Sequence, residues 1–328
     1  MGIGPRFLKG QSMRRRSSSA EIYKPKTDLF QRVTDKIITV LEQGTLPWRK
    51  PWKTEKHSQA TLCFPVNAIT GRAYSGMNVV LLWMDAAEKG FSSNRWLTFG
   101  QALEVGGNVR KGEKATLVTF YKPEQPPNDE PAMHQFHEDA GALKSQRSFM
   151  TSYHLFNVEQ CENLPEKLML RHSVELPDQH LLSIARADQI VANSGVRVIH
   201  KFQSHAFYRP QSDTITLPAR TQFDSQATYY STMMHELVHS TGHESRLARD
   251  GIVSCSRKFG NPVYALEELV AEFGAAFLCA ELGLNLEVQH ESYIASWLKV
   301  LRGDNRAIFK ACRLAREAFE YLINHEQA

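Results

Sequence analysis

Two histidines and a glutamate stand at fixed spacing in the C-terminal half, and this group constrains the fold more than any other feature of the chain. His235, Glu236 and His239 are surrounded by methionine, leucine and valine, so the segment predicts a buried helix. Residues four apart share one face of a helix, and both imidazoles can therefore reach one ion. Burying ionisable groups costs free energy unless they are paired or bind a ligand. The spacing predicts a metal site.

The ion that this pattern indicates is Zn²⁺, although Mn²⁺ or Co²⁺ can use the same ligands. Zinc lowers the pKa of a water molecule, and Glu236 is predicted to take a proton from that water as it attacks a peptide carbonyl. The alternative interpretation is a helix that carries solvent-exposed His and Glu. The apolar neighbours of His235 and His239 disfavour it.

A catalytic zinc needs a third protein ligand and one open coordination position. Gly242 follows the second histidine by three residues, a spacing that in one class of zinc peptidases precedes a third histidine ligand. That ligand position holds Ser245 here, and His243 comes too soon. His243 is therefore predicted to lie at the surface or beside a ligand, and the third ligand is expected from the next helix.

The helix predicted over residues 262–282 carries three glutamates among apolar residues. Glu268 and Glu272 share a face, whereas Glu267 is turned away from it by about 100°. Thermolysin-like enzymes use a glutamate ligand followed four residues later by an acid that hydrogen-bonds a ligating histidine. By that analogy Glu268 is the ligand and Glu272 orients a histidine. Glu272 as the ligand and a salt-bridged surface pair remain the alternatives, and Tyr264 is a candidate for stabilising an oxyanion.

The formal net charge of +4 conceals two unequal halves. Residues 1–125 hold 20 Lys and Arg against 10 Asp and Glu, whereas residues 126–328 hold 19 against 25. A basic half joined to an acidic half indicates that the first binds a polyanion. A solvated basic surface without a partner is the alternative.

Aromatic rings and cations alternate in part of the basic half. Single-stranded nucleic acid is held by this combination, because bases stack on rings while Lys and Arg follow the phosphates. Trp83, within an apolar helix, is instead expected in the core. The predicted DNA-binding residues are Trp48, Arg49, Lys50, Trp52 and Lys53 in a proline-containing loop, and Arg110, Lys111 and Lys114 at a turn.

The pattern of elements predicts an α+β protein with two domains. Residues 1–22 form a basic, serine-rich tail expected to be disordered, within which Met13 is an alternative start. Residues 23–165 form a small mixed domain that contains a mobile loop at 122–148, and residues 178–328 form a mostly helical domain with a short sheet. The expected details include a first helix capped by Thr27, a second capped by Asn78, and a hairpin in which Val109 and residues 115–121 flank the turn at 110–113.

Five cysteines lie far apart without a C-x-x-C pair, so we expect neither a disulfide framework nor a cysteine zinc site. The apolar stretches are too short to span a bilayer, and the N-terminus does not have the pattern of a signal peptide. We expect a soluble cytoplasmic protein with no membrane partner. The protein substrate and the oligomeric state are left open.

The chain resembles the ArdC-type antirestriction proteins of conjugative plasmids and related mobile elements. The resemblance runs from about Tyr23 to the C-terminus. It rests on blocks such as Tyr74–Asn78, Trp96–Ala102, Val109–Lys114, His235–His243 and Glu267–Ala275. It implies an N-terminal domain that binds single-stranded DNA, a zincin-like metallopeptidase domain, and protection of incoming single-stranded DNA from restriction.

Two other functions remain open at the level of sequence. One is a DNA-coating protein without enzymatic activity, whose metal site is structural or vestigial. The other is an accessory protein of a plasmid primase, although the chain carries no recognisable polymerase motif. Glu236 favours the enzyme, because a purely structural site needs no general base.

Overall fold

The fold is described from a computed structural model, which covers residues 28–46, 48, 63–123, 148–169, 179–254, 261–284 and 293–325. The predicted tail at residues 1–22 lies outside these ranges, as do Arg49, Lys50, Trp52, Lys53 and most of the loop predicted at 122–148.

The N-terminal half surrounds a small mixed sheet with helices. Within the described residues the sheet has the order β1-β2-β5-β4, in which β1 and β2 are parallel and the other pairs antiparallel, and β3 pairs with β6. The elements in chain order are α1 (Leu29–Glu42), β1 (Val66–Asn67), α2 (Met77–Lys89), β2 (Arg95–Leu97), α3 (Phe99–Glu104), β3 (Asn108–Val109), β4 (Thr116–Pro123), β5 (Ser148–Asn157), β6 (Cys161–Glu162) and α4 (Glu166–Met169).

Three sequence-based expectations in this half are wrong in detail. Asp28, not Thr27, caps α1 by accepting from the Phe30 amide. Asn78 lies inside α2, where its side chain both donates to the Thr119 carbonyl and accepts from the Thr119 amide, so it joins a helix to a strand instead of capping the helix. The predicted hairpin does not form, because Val109 pairs with Cys161. Alternating polarity identifies a strand but not its partner.

The C-terminal half is mostly helical, with a three-stranded sheet of order β7-β9-β8. Its elements are α5 (Gln179–Asn193), β7 (Arg197–Lys201), β8 (Phe207–Arg209), β9 (Thr214–Pro218), α6 (Gln226–Thr241), α7 (Asp250–Val253), α8 (Pro262–Leu282), α9 (Ile294–Gly303) and α10 (Ala307–His325). The α+β class predicted from the sequence is confirmed. The predicted bounds of α8 match those observed, since Pro262 and Gly283 mark its two ends.

Both halves contribute to one hydrophobic core. The Phe64 ring lies 6.0 Å from that of Phe277 and 5.6 Å from that of Phe319. The Trp83 ring also lies 6.0 Å from Phe277. The C-terminal half therefore packs directly on the N-terminal half. The predicted boundary between residues 165 and 178 falls mostly outside the described ranges and stays a prediction.

Among the helices that the described ranges contain, none is long and apolar enough to cross a membrane.

A glycine allows α6 and α8 to approach each other closely. A Cβ atom built on Gly274 of α8 would lie 2.7 Å from Cγ2 and 2.8 Å from Cγ1 of Val238 on α6. Such distances are well inside van der Waals contact, so only glycine fits here without a shift of the helices. Contacts between the polar side chains of α6 and those of α8 depend on this short interhelical distance.

We predict that Gly274→Ala lowers the free energy of unfolding by about 1–3 kcal/mol, the usual cost of overpacking a core. Urea denaturation of the metal-free protein measures this. The matched control is Gly303→Ala in α9, where a Cβ atom meets nothing within 4 Å. That substitution should be neutral or stabilise by up to about 1 kcal/mol through helix propensity. Equal effects at the two positions would contradict the close approach of α6 and α8.

Candidate metal centre

Helices α6 and α8 bring the functional side chains together. Ser225 caps α6 by accepting from the Thr228 amide, and Asn261 caps α8 by accepting from the Val263 amide. Both helices are buried over most of their length, so their polar residues need partners within the protein. His235 and His239 of α6 face the three glutamates of α8.

Both imidazoles turn the same ring nitrogen toward one carboxylate. His235 Nε2 lies 3.5 Å from Glu268 Oε2, and His239 Nε2 lies 3.5 Å from Glu268 Oε1. The ring centroids of the two histidines are 4.8 Å apart. Potential ligand atoms of all three residues lie within 4.8 Å of one another, and all three residues are buried. The structure thus brings together the two histidines with Glu268, as the sequence predicts.

The electrostatics of this cluster follow from its burial. Burial opposes the charged form of His239, but the charge of Glu268 and the hydrogen bonds that His239 donates to Glu267 and Glu268 outweigh it and raise the pKa of His239 to about 10. Burial would raise the pKa of Glu268, yet the charge of His239 and bonds from both imidazoles hold that pKa well below its usual range. The site therefore favours an ionised carboxylate beside a positive charge.

The donor set fits a divalent transition-metal ion. Two imidazole nitrogens and one carboxylate oxygen, buried and converging, are the protein ligands that catalytic zinc uses in one class of peptidases. Mn²⁺ is compatible with the same ligand types. A divalent cation would also supply the positive charge that a buried carboxylate requires.

Glu236 and two tyrosines lie around this group of ligands. Glu236 is buried, and its charge raises the pKa of His239. Burial and then the charge of Glu268 raise the pKa of Tyr264, whose hydroxyl lies 3.4 Å from the Tyr293 hydroxyl. Tyr264 therefore stays protonated and able to donate. Tyr293 was not recognisable from the sequence, since it lies 29 residues away at the start of another helix.

The third carboxylate of the predicted set, Glu272, lies behind His235. Its Oε1 is 3.6 Å from His235 Nδ1, on the side of the ring opposite to Glu268. Its Oε2 accepts a hydrogen bond of 3.1 Å from the indole Nε1 of Trp48. Glu272 therefore faces the outer nitrogen of a proposed ligand, whereas Glu268 faces the inner one.

The interpretation of Trp48 as a base-stacking platform is wrong for this structure. Trp48 is 0% exposed, with its ring edge-on to Phe273 at 4.5 Å and to Trp297 at 5.7 Å. A fully buried ring has no face on which a base can stack. The neighbouring prolines suggested a surface loop. The sequence contains no signal that Trp48 packs in the core against residues of the C-terminal half.

Glu267 has a role that the sequence did not predict. Its Oε1 lies 3.2 Å from Nδ1 of His239. Glu267 is turned away from the helix face that Glu268 and Glu272 share, but each imidazole has a second nitrogen, and Glu267 faces that nitrogen of His239. Arg249, also missed, binds the same carboxylate.

The other predicted DNA-binding residues fall into two groups. Arg110, Lys111 and Lys114 are exposed around a turn, as a contact to phosphate would require. Arg110 also pairs with Glu113 at 2.8 Å. Arg49, Lys50, Trp52 and Lys53 lie outside the described residues.

One helix carries two histidines and a glutamate, and the next helix brings a second glutamate to the histidines. This arrangement defines a zincin-like metallopeptidase domain. The family model described as a zincin-like metallopeptidase matches residues 185–314. The model for the N-terminal domain of the anti-restriction factor ArdC matches residues 27–156. The chain belongs to the ArdC family.

Relatives and solved structures agree with this assignment. The protein y4eC of Sinorhizobium fredii is 34% identical over 90% of this chain and 92% of its own length. Crystal structures of the antirestriction protein ArdC from plasmid R388, one metal-free and one with bound Mn(II), are 36% identical to this chain. Their TM-scores are 0.71 and 0.69, and the match covers 92% and 91% of this chain and 98% of each of theirs.

Two Escherichia coli proteins named DNA primase TraC are each 36% identical over 94% of this chain. The chain spans only 20% of the first and 28% of the second.

We predict that Trp48→Phe lowers the free energy of unfolding of the metal-free protein by about 1–3 kcal/mol more than Trp297→Phe, because only the first change removes a hydrogen bond to a buried carboxylate. Both indoles are 0% exposed, but Nε1 of Trp297 has no acceptor within the described structure. Chemical denaturation of the two variants gives the difference. Equal losses would mean that the indole–Glu272 bond contributes nothing.

Proposed function

We propose that the chain is a metal-dependent peptidase whose ion is held by His235, His239 and Glu268. The observation that carries the proposal is the burial of these three side chains with their ligand atoms within 4.8 Å of one another. Zn²⁺ is the ion that this ligand set favours, and the Mn(II)-bound form of the R388 protein supports Mn²⁺ as an alternative. An apolar surround strengthens electrostatic interactions at such a site.

In the proposed reaction a water molecule attacks the carbonyl carbon of a peptide bond. A bound divalent ion supplies Lewis acidity, which polarises the carbonyl and lowers the pKa of water. Glu236 accepts the proton of the attacking water and returns it to the amide nitrogen as the C–N bond breaks. The products are a carboxylic acid and an amine, which exchange the second water proton to become a carboxylate and an ammonium group, so no further reactant is needed.

Tyr264 is proposed to stabilise the negative charge that develops on the carbonyl oxygen. Burial and the charge of Glu268, a proposed ligand of the ion, raise the pKa of its hydroxyl and keep it protonated. Tyr293 hydrogen-bonds the Tyr264 hydroxyl and restrains its position. Donors that are fixed before the reaction lower the barrier without reorganisation.

We propose further that the N-terminal half binds single-stranded DNA. Support comes from the match to the ArdC N-terminal domain and from the exposed cations Arg110, Lys111 and Lys114. Most of the positive charge of residues 1–125 lies in segments 1–27 and 49–62. By analogy with the R388 protein, the biological role is antirestriction on a plasmid or mobile element.

A second candidate function is a DNA-binding role that needs no catalysis, either in coating DNA or as an accessory of a primase. The similarity of 94% of this chain to part of two DNA primases named TraC supports the second form. In that case the metal site would stabilise the fold, and Glu236 would be dispensable.

We predict that Glu236→Gln lowers the peptidase rate at least about 100-fold, because a general base contributes a factor of that order or more. Cleavage of fluorescein-labelled casein by protein loaded with Zn²⁺ or Mn²⁺, with and without oligo(dT), measures it. Metal content and DNA binding should not change.

Glu244→Gln is the matched control, since Glu244 is an exposed glutamate just beyond the same helix. It should cleave casein like the wild type. Equal rates for Glu236→Gln and the wild type would contradict the role of Glu236. A wild type that cleaves casein under none of these conditions would contradict the peptidase and favour the second candidate.

We predict that the double variant Lys111→Ala/Lys114→Ala binds oligo(dT) more weakly, and that its slope of log affinity against log salt is shallower by about 1.4, since each contact to a single strand contributes about 0.7. Fluorescence anisotropy at several salt concentrations measures both. Lys299→Ala/Lys310→Ala, at two exposed lysines of the C-terminal half, is the control with equal charge change. An identical slope in the two double variants would remove Lys111 and Lys114 from the DNA interface.

A further inference from the structure

The segment between α6 and α8 folds back onto the end of α6 through a buried arginine. Arg249 Nη2 donates to the Val238 carbonyl at 2.7 Å, and Nη1 donates to Thr241 Oγ1 at 2.6 Å. These two acceptors lie on either side of His239 in the last turn of the helix. The Val238 carbonyl also accepts from the Thr241 hydroxyl at 2.7 Å, so Arg249 joins a hydrogen-bonded pair in the last turn of the helix.

The same guanidinium donates two hydrogen bonds to the carboxylate of Glu267 on α8. Its Nη2 lies 2.6 Å from Oε1, and its Nε lies 3.0 Å from Oε2. This two-pronged geometry fixes the plane of the carboxylate, which a lysine could not do. Oε1 of Glu267 then lies 3.2 Å from Nδ1 of His239. All three side chains are buried.

Two glycines give this chain of contacts the space it needs. A Cβ atom on Gly251 would lie 2.6 Å from Cβ of Glu267, and one on Gly242 would lie 3.0 Å from Nη2 of Arg249. Neither glycine has a positive φ angle, so neither is needed for its backbone conformation. Their small size is what lets Arg249 and Glu267 reach the outer side of His239.

We infer that Arg249 and Glu267 are positioning residues for the metal ligand His239. Glu267 accepts the Nδ1 proton and so presents the Nε2 lone pair to the ion, while Arg249 fixes Glu267 and the helix turn that carries the imidazole. A ligand held in one tautomer and one orientation binds its ion more tightly. The inference rests on the proposed function, since it requires an ion at His235, His239 and Glu268.

The test is the affinity of the full-length protein for Zn²⁺, measured by competition with a chromophoric chelator. Glu267→Gln and Arg249→Lys should each weaken binding by about 10- to 100-fold, the usual effect of removing the partner of a ligating histidine. The absorption bands of the Co²⁺-substituted protein should shift, because they report ligand geometry. The double variant should lose little more than the more severe single variant, since the two residues act through one imidazole.

Arg246→Lys is the matched control. Arg246 lies in the same segment, donates to the Ser240 carbonyl of α6 at 2.8 Å and pairs with Asp213. Among the partners found for it, none hydrogen-bonds a proposed metal ligand. It should lower thermal stability about as much as Arg249→Lys while leaving Zn²⁺ affinity within about twofold of the wild type.

Three results would overturn the inference. Wild-type Zn²⁺ affinity in both Glu267→Gln and Arg249→Lys would show that His239 needs no such partner. An equal loss of affinity in Arg246→Lys would show a general effect of loosening the segment. If the wild type itself bound neither Zn²⁺ nor Mn²⁺, the proposed function would fail together with the inference, and that result is distinct from a failure seen only in the comparison of variants.

Discussion

The structure depends on the packing of α6 against α8 at a distance short enough for imidazoles and carboxylates to meet. Ionised groups in a protein interior cost several kcal/mol each unless partners compensate them. Here Glu267, Glu268 and Glu272 face His235 and His239, so each of these three carboxylates lies beside an imidazole across the interhelical contact. Gly274 makes the contact possible, and the apolar residues on the same helices keep water out.

Within this contact each histidine has an inner and an outer nitrogen with different partners. The inner nitrogen is Nε2 and the outer one is Nδ1. Glu268 lies beside Nε2 of both histidines, whereas Glu272 lies beside Nδ1 of His235 and Glu267 beside Nδ1 of His239. The two outer carboxylates are held in turn by residues from outside the helix pair, Trp48 for Glu272 and Arg249 for Glu267. The geometry of the proposed ligands is therefore fixed by the surrounding fold as well as by the motif.

The involvement of Trp48 links the two halves of the chain. Its side chain crosses from the half that matches the ArdC N-terminal domain to a carboxylate beside His235. The rings of Phe64, Trp83, Phe277 and Phe319 continue the same shared core. A C-terminal half isolated from the first half would expose this core and lose the indole that holds Glu272. The two functions proposed for the chain thus share one physical framework.

Local patterns in the sequence predicted what depends on local geometry. Helical spacing placed His235 and His239 on one face, the analogy with thermolysin-like enzymes added Glu268, and Pro262 with Gly283 marked the ends of α8. The pairing of Val109 with Cys161, the burial of Trp48 and the bond from Arg249 to Glu267 join residues that are 18 to 224 positions apart. Such contacts are decided by tertiary packing, to which propensity and periodicity are insensitive. The role of Glu267 was missed for a different reason. A helical wheel was used only to find residues that can bind the ion, and it did not consider partners for the second nitrogen of each imidazole.

The central claim is that His235, His239 and Glu268 hold one divalent ion. Anomalous diffraction from crystals soaked in Zn²⁺, recorded on both sides of the zinc absorption edge, tests it most directly. The account predicts a single strong peak about 2.0–2.2 Å from Nε2 of each histidine and from a Glu268 oxygen. A peak bound through Glu272 or Glu267 in place of Glu268, or no peak between α6 and α8, would contradict it.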